Sequence, residues 1–377
     1  MFPGEYTLYG SKRSYFTAKI ENILKFQGLP YSLVEKMPHD GSAIETRTGS
    51  GAIPALVTPE DWPLADSTPI AQFLNARYPG QPIIPPTPVQ RITALILEDW
   101  FDEWFMRVAM YTRWNFPESV DALVGSGASM RLYNKQWHEV TDAEHNEIRP
   151  HVNAALERIA SFRQRMTTEV AEAYGTTLEQ GEDIMVWFGE FLDNMTIHLE
   201  SHPYLLGERP CVADFVISGG YAAHFGNDTW PREFTLNRQP AVLRFAERLW
   251  DTTHTDAEWL ANDAVPDTLQ PFFEEMQVRY LPYLLANREA LATDADYVEQ
   301  DYGFGVVATP PRVYQELARL DLRDELLKLS TDETIAVEAV VPRGVLDSYL
   351  VPPIDQHLAL TGNKDTFPEP QGIGVLD

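Results

Sequence analysis

The sequence predicts a small α/β domain followed by a larger all-helical one. Three observations carry this reading. The first 80 residues alternate strand-like and helix-like segments, residues 79–88 are proline-rich, and almost everything beyond them repeats with helical periodicity.

Tyr6-Thr7-Leu8-Tyr9 is β-branched and aromatic and ends at Gly10, which reads as a buried strand. From Ser14 to Gln27 the pattern turns helical: Phe16, Ile20, Ile23 and Leu24 share one face, Ser14 suits an N-cap, and Gly28 with Pro30 makes a stop. Tyr31 to Lys36 alternates as a second strand, and the polar stretch from Asp40 to Gly51 reads as a loop or irregular helix. Ala55 to Thr58 and Pro63 to Asp66, separated by a tight turn, form a hairpin, and Ser67 to Tyr78 is helical again. Two strands joined by a helix pair in parallel through a right-handed crossover, and the hairpin adds antiparallel strands.

Residues 79–88 (PGQPIIPPTP) have the composition of a stiff linker and a domain boundary. Beyond it, Arg91 to Trp114 reads as one long aromatic-rich helix, and 146–173, 183–200, 212–224, 240–250, 267–292 and Val313 to Leu329 are also helical in pattern. The polar stretches 118–144 and 225–239 read as separators, and 351–377, rich in Pro and Gly, as either disordered or an arm laid over another surface. The expected organisation is therefore 1–80, 89–292 with an insertion near 118–182, and a C-terminal extension over 293–377.

The chain has 377 residues, 44% of them apolar and 23% charged, which is ordinary for a soluble globular protein. Its 56 acidic residues against 29 basic ones give a formal charge of −27, a surface that repels phosphate backbones and argues against nucleic-acid binding. That acidity fits either simple solubility or a salty environment. A single cysteine, Cys211, excludes an internal disulfide and any multi-cysteine metal site, consistent with a reducing compartment. No segment reaches 18 uninterrupted apolar residues and the N-terminus lacks a signal-like run, so the expectation is a cytoplasmic protein that does not engage a membrane.

Three segments, in order, resemble the cytosolic glutathione transferases. Leu8 to Tyr31 looks like the opening strand, active-site turn and first helix of that family. Ile53-Pro54, followed by Leu64-Ala65-Asp66-Ser67-Thr68-Pro69-Ile70, resembles its cis-proline and the acidic-Ser pair that opens its third helix. Tyr204-Leu205-Leu206-Gly207 leading into Cys211-Val212-Ala213-Asp214-Phe215 resembles the helix-start motif of its all-helical domain. The resemblance implies a thioredoxin-like N-terminal domain (βαβ-ββα) and an all-α C-terminal domain. It also implies an enzyme of the serine or cysteine type using glutathione as co-substrate, without a metal, on an apolar electrophilic small molecule, and a homodimer.

The chemistry constrains the residues. A free thiol of pKa about 8.5 is only slightly ionised at neutral pH, and lowering it by about two units needs roughly 2.7 kcal/mol of preferential anion stabilisation. A hydroxyl donor and a helix N-terminus both favour the anion. Ser14 offers both, whereas the position of the reactive tyrosine in tyrosine-type classes is Gly10 here. Ser14 is also a natural N-cap, and Tyr15, Ser11 and Tyr9 are alternative hydroxyls. The resemblance assigns the backbone of Ile53, before Pro54, to the cysteinyl part of glutathione, and Asp66 and Ser67 to its γ-glutamyl ammonium and carboxylate. The basic or amide residue that the family often places near Ala52 is missing, leaving Lys12, Arg13 or Lys36 for the glycyl carboxylate. Cys211 stands where the helix-start motif carries Ser or Thr, and reads as structural. Trp100, Trp104, Tyr111 and Trp114 stand where the family builds its apolar pocket, with core packing as the competing reading. His198 and His202, four apart without a third ligand, read as a solvated helix end rather than a metal site.

Two functions of different class stay open: a glutathione transferase, or a non-catalytic binding or scaffold protein of the same fold. The missing basic residue and the large additions favour the second; Ser14, Ile53-Pro54 and Asp66-Ser67 favour the first.

Overall fold

A computed structural model describes residues 4–301 and 306–354. The N-terminal region runs β1 (Tyr6–Gly10), α1 (Tyr15–Phe26), β2 (Tyr31–Glu35), α2 (Ala43–Thr48), β3 (Ala55–Val57), β4 (Pro63–Ala65) and α3 (Ser67–Arg77). The sheet order is β2-β1-β3-β4, with β1 parallel to β2 and the other pairs antiparallel. This is the thioredoxin-like βαβ-ββα arrangement. Alternation in β1 sends Tyr6 and Leu8 into the core. The polar loop expected at 40–51 is pinned by the short helix α2, which ends at Gly49 in the left-handed region.

α1 departs from the amphipathic expectation. Lys19 and Asn22, on its polar face, are 0% exposed, because α1 is covered on its outer side by a helix of the C-terminal region, α10 (Val212–Gly220). A Cβ on Gly219 of α10 would lie 2.5 Å from the backbone nitrogen of Lys19, so only glycine lets the two helices approach this closely.

The C-terminal region is mostly helical: α4 (Pro88–Trp104), α5 (Met106–Trp114), α6 (Pro117–Tyr133), α7 (Asp142–Thr167), α8 (Glu169–Tyr174), α9 (Gly181–Leu199), α10 (Val212–Gly220), α11 (Thr229–Arg238), α12 (Pro240–Asp251), α13 (Gln270–Glu275) and α14 (Leu281–Ala292). π-Helical turns follow α10 and α13, at Tyr221–Phe225 and Met276–Tyr280. The long aromatic helix is thus two, interrupted at Phe105. Two stretches read as separators are helical, α6 and α11, since each packs its apolar side chains on neighbouring helices. α6 and α7 share a small core of their own, with Trp137, Ile148 and Val152. The linker is held rather than free: Asn75 Oδ1 accepts from the backbone N–H of Ile83 and Ile84, both at 2.9 Å, and Arg209 binds the Pro82 carbonyl.

The extension continues with β5 (Val298–Asp301) paired antiparallel to β6 (Val306–Thr309), then α15 (Val313–Leu327), α16 (Thr331–Glu338) and α17 (Arg343–Leu350). α15 and α16 pack on α4, and Leu322, Leu326, Val345 and Tyr349 join the same hydrophobic core as the N-terminal sheet. Residues 355–377, most of the Pro- and Gly-rich tail, lie outside the described residues. Among the described residues no helix is long and apolar enough to cross a membrane.

One buried acid joins the extension to α4. Asp99 Oδ2 accepts from the hydroxyls of Tyr280 and Tyr349, both at 2.7 Å. Burial, with Glu98 and Asp321 adding, pushes the Asp99 carboxyl up to about 7 against the two phenol donors. A folded-state value above the unfolded one favours the protonated acid. Its stabilisation is complete below about pH 4 and is lost as pH rises through about 7. Asp99→Asn keeps the acceptor and removes the charge. The variant is expected to equal wild type in melting temperature near pH 5 and to exceed it at pH 8, by about 1–3 kcal/mol in unfolding free energy. Parallel pH profiles for the two proteins would rule this out.

Candidate functional site

The turn from Ser11 to Ser14 joins β1 to α1. Ser11 Oγ donates to Glu35 Oε1 at 2.6 Å, and the backbone N–H of Ser14 bonds the Ser11 carbonyl at 2.9 Å. Ser14 caps α1, its hydroxyl oxygen accepting from the Thr17 N–H at 3.3 Å. That bond uses a lone pair and leaves the hydroxyl proton available to a ligand. Of the alternative hydroxyls, Tyr15 is 1% exposed and donates to the Phe101 carbonyl at 3.3 Å, and Ser11 is committed to Glu35.

The turn is anchored from the helical region. Arg113 of α5 donates through Nη1 to the carbonyl of Arg13 at 2.7 Å, and through Nε to Asp228 Oδ2 at 2.7 Å. It also donates to the Ala223 carbonyl and lies 3.1 Å from His224 Nε2. Burial and the neighbouring Arg113 cation hold the His224 imidazole well below its ordinary range, so it is neutral and accepts from Arg113. Asp228 is 0% exposed.

The Ile53–Pro54 peptide bond is cis, and the strand ladder begins at the next residue, Ala55. The Asp66 N–H reaches back to the Pro54 carbonyl at 3.3 Å, which sets the Ile53–Pro54 segment beside the start of α3. Asp66 holds φ 75° and ψ 138°, a backbone conformation rare for non-glycine residues, and its side chain makes no cap bond to its own helix. Its carboxylate instead bonds the hydroxyl of Tyr314 on α15. Ser67 is 2% exposed, and Thr68 donates to Glu98 Oε1 at 2.6 Å. Beneath them Lys19, on α1, bonds Glu98 at 2.5 Å and also Asp102, both on α4. Burial opposes an ammonium there, but the two carboxylates outweigh it and hold Lys19 above its ordinary range.

Residues 8–82 match the family model described as glutathione S-transferase, N-terminal domain. Residues 8–82 are therefore similar to a glutathione S-transferase N-terminal domain. Among solved structures, the glutathione S-transferase of Methylobacterium radiotolerans, in complex with glutathione sulfonate, is 15% identical, spans 67% of this chain and 97% of its own, and gives a TM-score of 0.35. That of Ceriporiopsis subvermispora, in complex with glutathione, is 14% identical over 66% of this chain and 98% of its own, at 0.42. That of Pseudomonas fluorescens is 20% identical over 69% and 98%, at 0.36. A search of curated protein sequences found no match.

Within the N-terminal domain, the three basic residues expected to stand in for the one missing near Ala52 separate. Lys36 is buried and bonds Glu45 Oε1 at 2.7 Å and the Met37 carbonyl at 2.9 Å, with Asp40 at 3.3 Å, so it braces its own loop. Lys12 and Arg13 are exposed. The residue that sequence reading missed is His39. Its N–H bonds the Gly51 carbonyl at 2.7 Å, and a Cβ at Gly51 would lie 2.1 Å from its Nδ1. An exposed imidazole therefore rests on the backbone two residues before Ile53, over a glycine that makes room for it. The only signal in the sequence was the unexplained pairing of a histidine with a Gly-rich loop.

The aromatic residues assigned to a substrate pocket are core residues instead. Trp100 is 0% exposed, Trp104 2%, and Tyr111 and Trp114 6% each. Trp100 packs against Phe101, Trp187, Phe191 and Phe272, and Trp104 against Trp187, Tyr280 and Tyr283. Trp114 belongs to a separate cluster with Met110 and Leu123. The interruption at Phe105 breaks the stripe, so the four side chains do not form one wall.

Two further expectations resolve locally. Cys211 is 0% exposed and caps α10, with Asp214 Oδ2 accepting its N–H at 2.8 Å, and burial pushes the thiol well up. His198 is not a solvated helix end. It is buried, its ring nitrogens face Thr268 Oγ1 at 2.7 Å and the Tyr204 carbonyl at 3.1 Å, and burial lowers it to about 4.

Proposed function

We propose that this chain binds glutathione at the N-terminal domain and lowers the pKa of its thiol at Ser14, for transfer to an apolar electrophile. The observation that carries the reading is the family match over 8–82, the same residues that hold the Ser14 turn, Ile53-Pro54 and the Asp66-Ser67 helix start. Ser14 would act as a hydrogen-bond donor to the thiolate. Its hydroxyl proton is free while the cap bond is kept, and the α1 N-terminus adds a favourable dipole. Ile53 would pair its backbone with the cysteinyl unit in strand fashion, just ahead of β3. The N–H groups of Ser67 and Thr68 at the start of α3 and the Ser67 hydroxyl would take the γ-glutamyl carboxylate, and Asp66 the ammonium. His39 would meet the glycyl end in place of the residue missing near Ala52.

Retention on immobilised glutathione, with a ligand-induced rise in melting temperature, tests the reading. Asp66→Asn with Ser67→Ala is expected to weaken binding by at least about tenfold, the loss of a charge-assisted bond and a neutral one, with helix content unchanged. Equal affinity in parent and variant would sink the assignment.

Ser14→Ala is expected to raise the pKa of the bound thiol by about one to two units, read from thiolate absorbance, with a much smaller change in affinity. An unchanged pKa would move the role off Ser14.

A second reading, a non-catalytic binding or scaffold protein, is favoured by one observation. The Asp66 carboxylate is already engaged by Tyr314 of the C-terminal segment. Absence of any glutathione binding in the parent would decide for it.

A further inference from the structure

We propose that α15 of the C-terminal segment forms part of the glutathione site, with Tyr314 as a positioning residue that aims the Asp66 carboxylate at the ligand's α-ammonium. The inference rests on the glutathione reading above.

Three features of the structure support it. Asp66 is an N-cap whose carboxylate makes no bond to its own helix, and the hydroxyl it does bond comes from Tyr314, far away in sequence. Tyr314 lines one cavity with Thr68, Pro69 and Gln72 from the first turns of α3 and with Glu103 of α4. α15 is fixed there rather than resting loosely. Arg319 is 0% exposed, pairs with buried Glu316 at 2.6 Å, and donates at 2.8 Å to the carbonyls of both Tyr349 and Val351. Burial first, with Asp66 and Glu103 adding, pushes the Tyr314 phenol well above its ordinary value, so it is a neutral donor at physiological pH. A carboxylate offers about four lone-pair directions. One phenol bond fixes its rotation and leaves the rest for an ammonium.

The consequence is selectivity for a free α-amino group. The probes are glutathione and its deamino analogue, glutaryl-cysteinyl-glycine, titrated calorimetrically into the full chain. Wild type is expected to prefer glutathione. Tyr314→Phe should weaken glutathione by about fivefold, the size of one ordinary hydrogen bond, and leave the deamino analogue unchanged. In an Asp66→Asn background the same change should have no further effect on either ligand. Equal weakening of both ligands would make Tyr314 a merely structural residue and overturn the inference. So would no change, or tighter glutathione binding, which would make Tyr314 a competitor of the ammonium. A wild-type chain that binds neither probe overturns the glutathione reading itself, and this inference with it.

Discussion

Replacing Lys19 by methionine is expected to cost about 3–5 kcal/mol and to lower the melting temperature by roughly 10 °C at pH 7. Lys19 is 0% exposed and faces Glu98 and Asp102, each 3% exposed. Methionine fills most of the volume and leaves two carboxylates buried side by side without a cation. The attraction lost is less important than the two charges left behind, because desolvation dominates in a dry site. Two accompanying results follow. The loss should shrink as pH falls towards 5, where the carboxyls can take up protons. The triple variant Lys19→Met, Glu98→Gln, Asp102→Asn should recover much of the stability, since no charge remains buried. Because the triad joins α1 to α4, the N-terminal sheet region and the helices should be lost in one thermal transition. A melting temperature within about 2 °C of wild type for Lys19→Met would show that water reaches the cluster and that its burial is not maintained in solution.

Arg113→Met is expected to be comparably damaging, at about 3–5 kcal/mol, and for a related reason. Asp228 is 0% exposed and has Arg113 as its ion-pair partner. Here, however, stability and site geometry can be separated. Arg113 also holds the Arg13 carbonyl in the turn that presents Ser14. Arg113→Met with Asp228→Asn removes the stranded charge, so most of the stability should return. The turn remains unanchored, and the bound thiol pKa should stay above the parent's. Arg113→Lys keeps the charge but not the planar fork that reaches Asp228 and Arg13 together, so it should rescue stability better than thiol ionisation. Denaturation curves and thiolate absorbance on the three variants distinguish these outcomes. If the double variant ionises the thiol as the parent does, Arg113 acts on stability alone.

These two arginine and lysine clusters show where sequence reading stops. The alternation in β1, the N-cap at Ser14, the hairpin around 59–62 and the helix start at Ser67 are encoded by residues within one or two turns of each other. Local sterics and capping decide such features, and they were legible. So was the order strand, helix, strand, strand, strand, helix, hence the sheet topology, because a right-handed crossover leaves few alternatives. The polar helices α6 and α11 were not legible. The apolar residues of α6 are spread around the helix and those of α11 are few, so neither shows a stripe, and their stability comes from what they pack against. Nor could periodicity reveal that Trp104 is packed into the core, since an apolar stripe looks the same beside a cavity.

What the sequence determined by itself is thus the N-terminal fold and the set of short motifs at 10–14, 53–54 and 66–67. What only the tertiary structure decided is the environment of each motif. Lys19 is buried because α10 covers the outer face of α1, Arg13 is anchored by a residue 100 positions away, and Asp66 is engaged by a tyrosine in a segment that local pattern treats as an appendage. The physical reason is common to all three. A charged side chain's role follows from the dielectric and the partners around it, and both are set by which distant element packs there rather than by its neighbours in the chain.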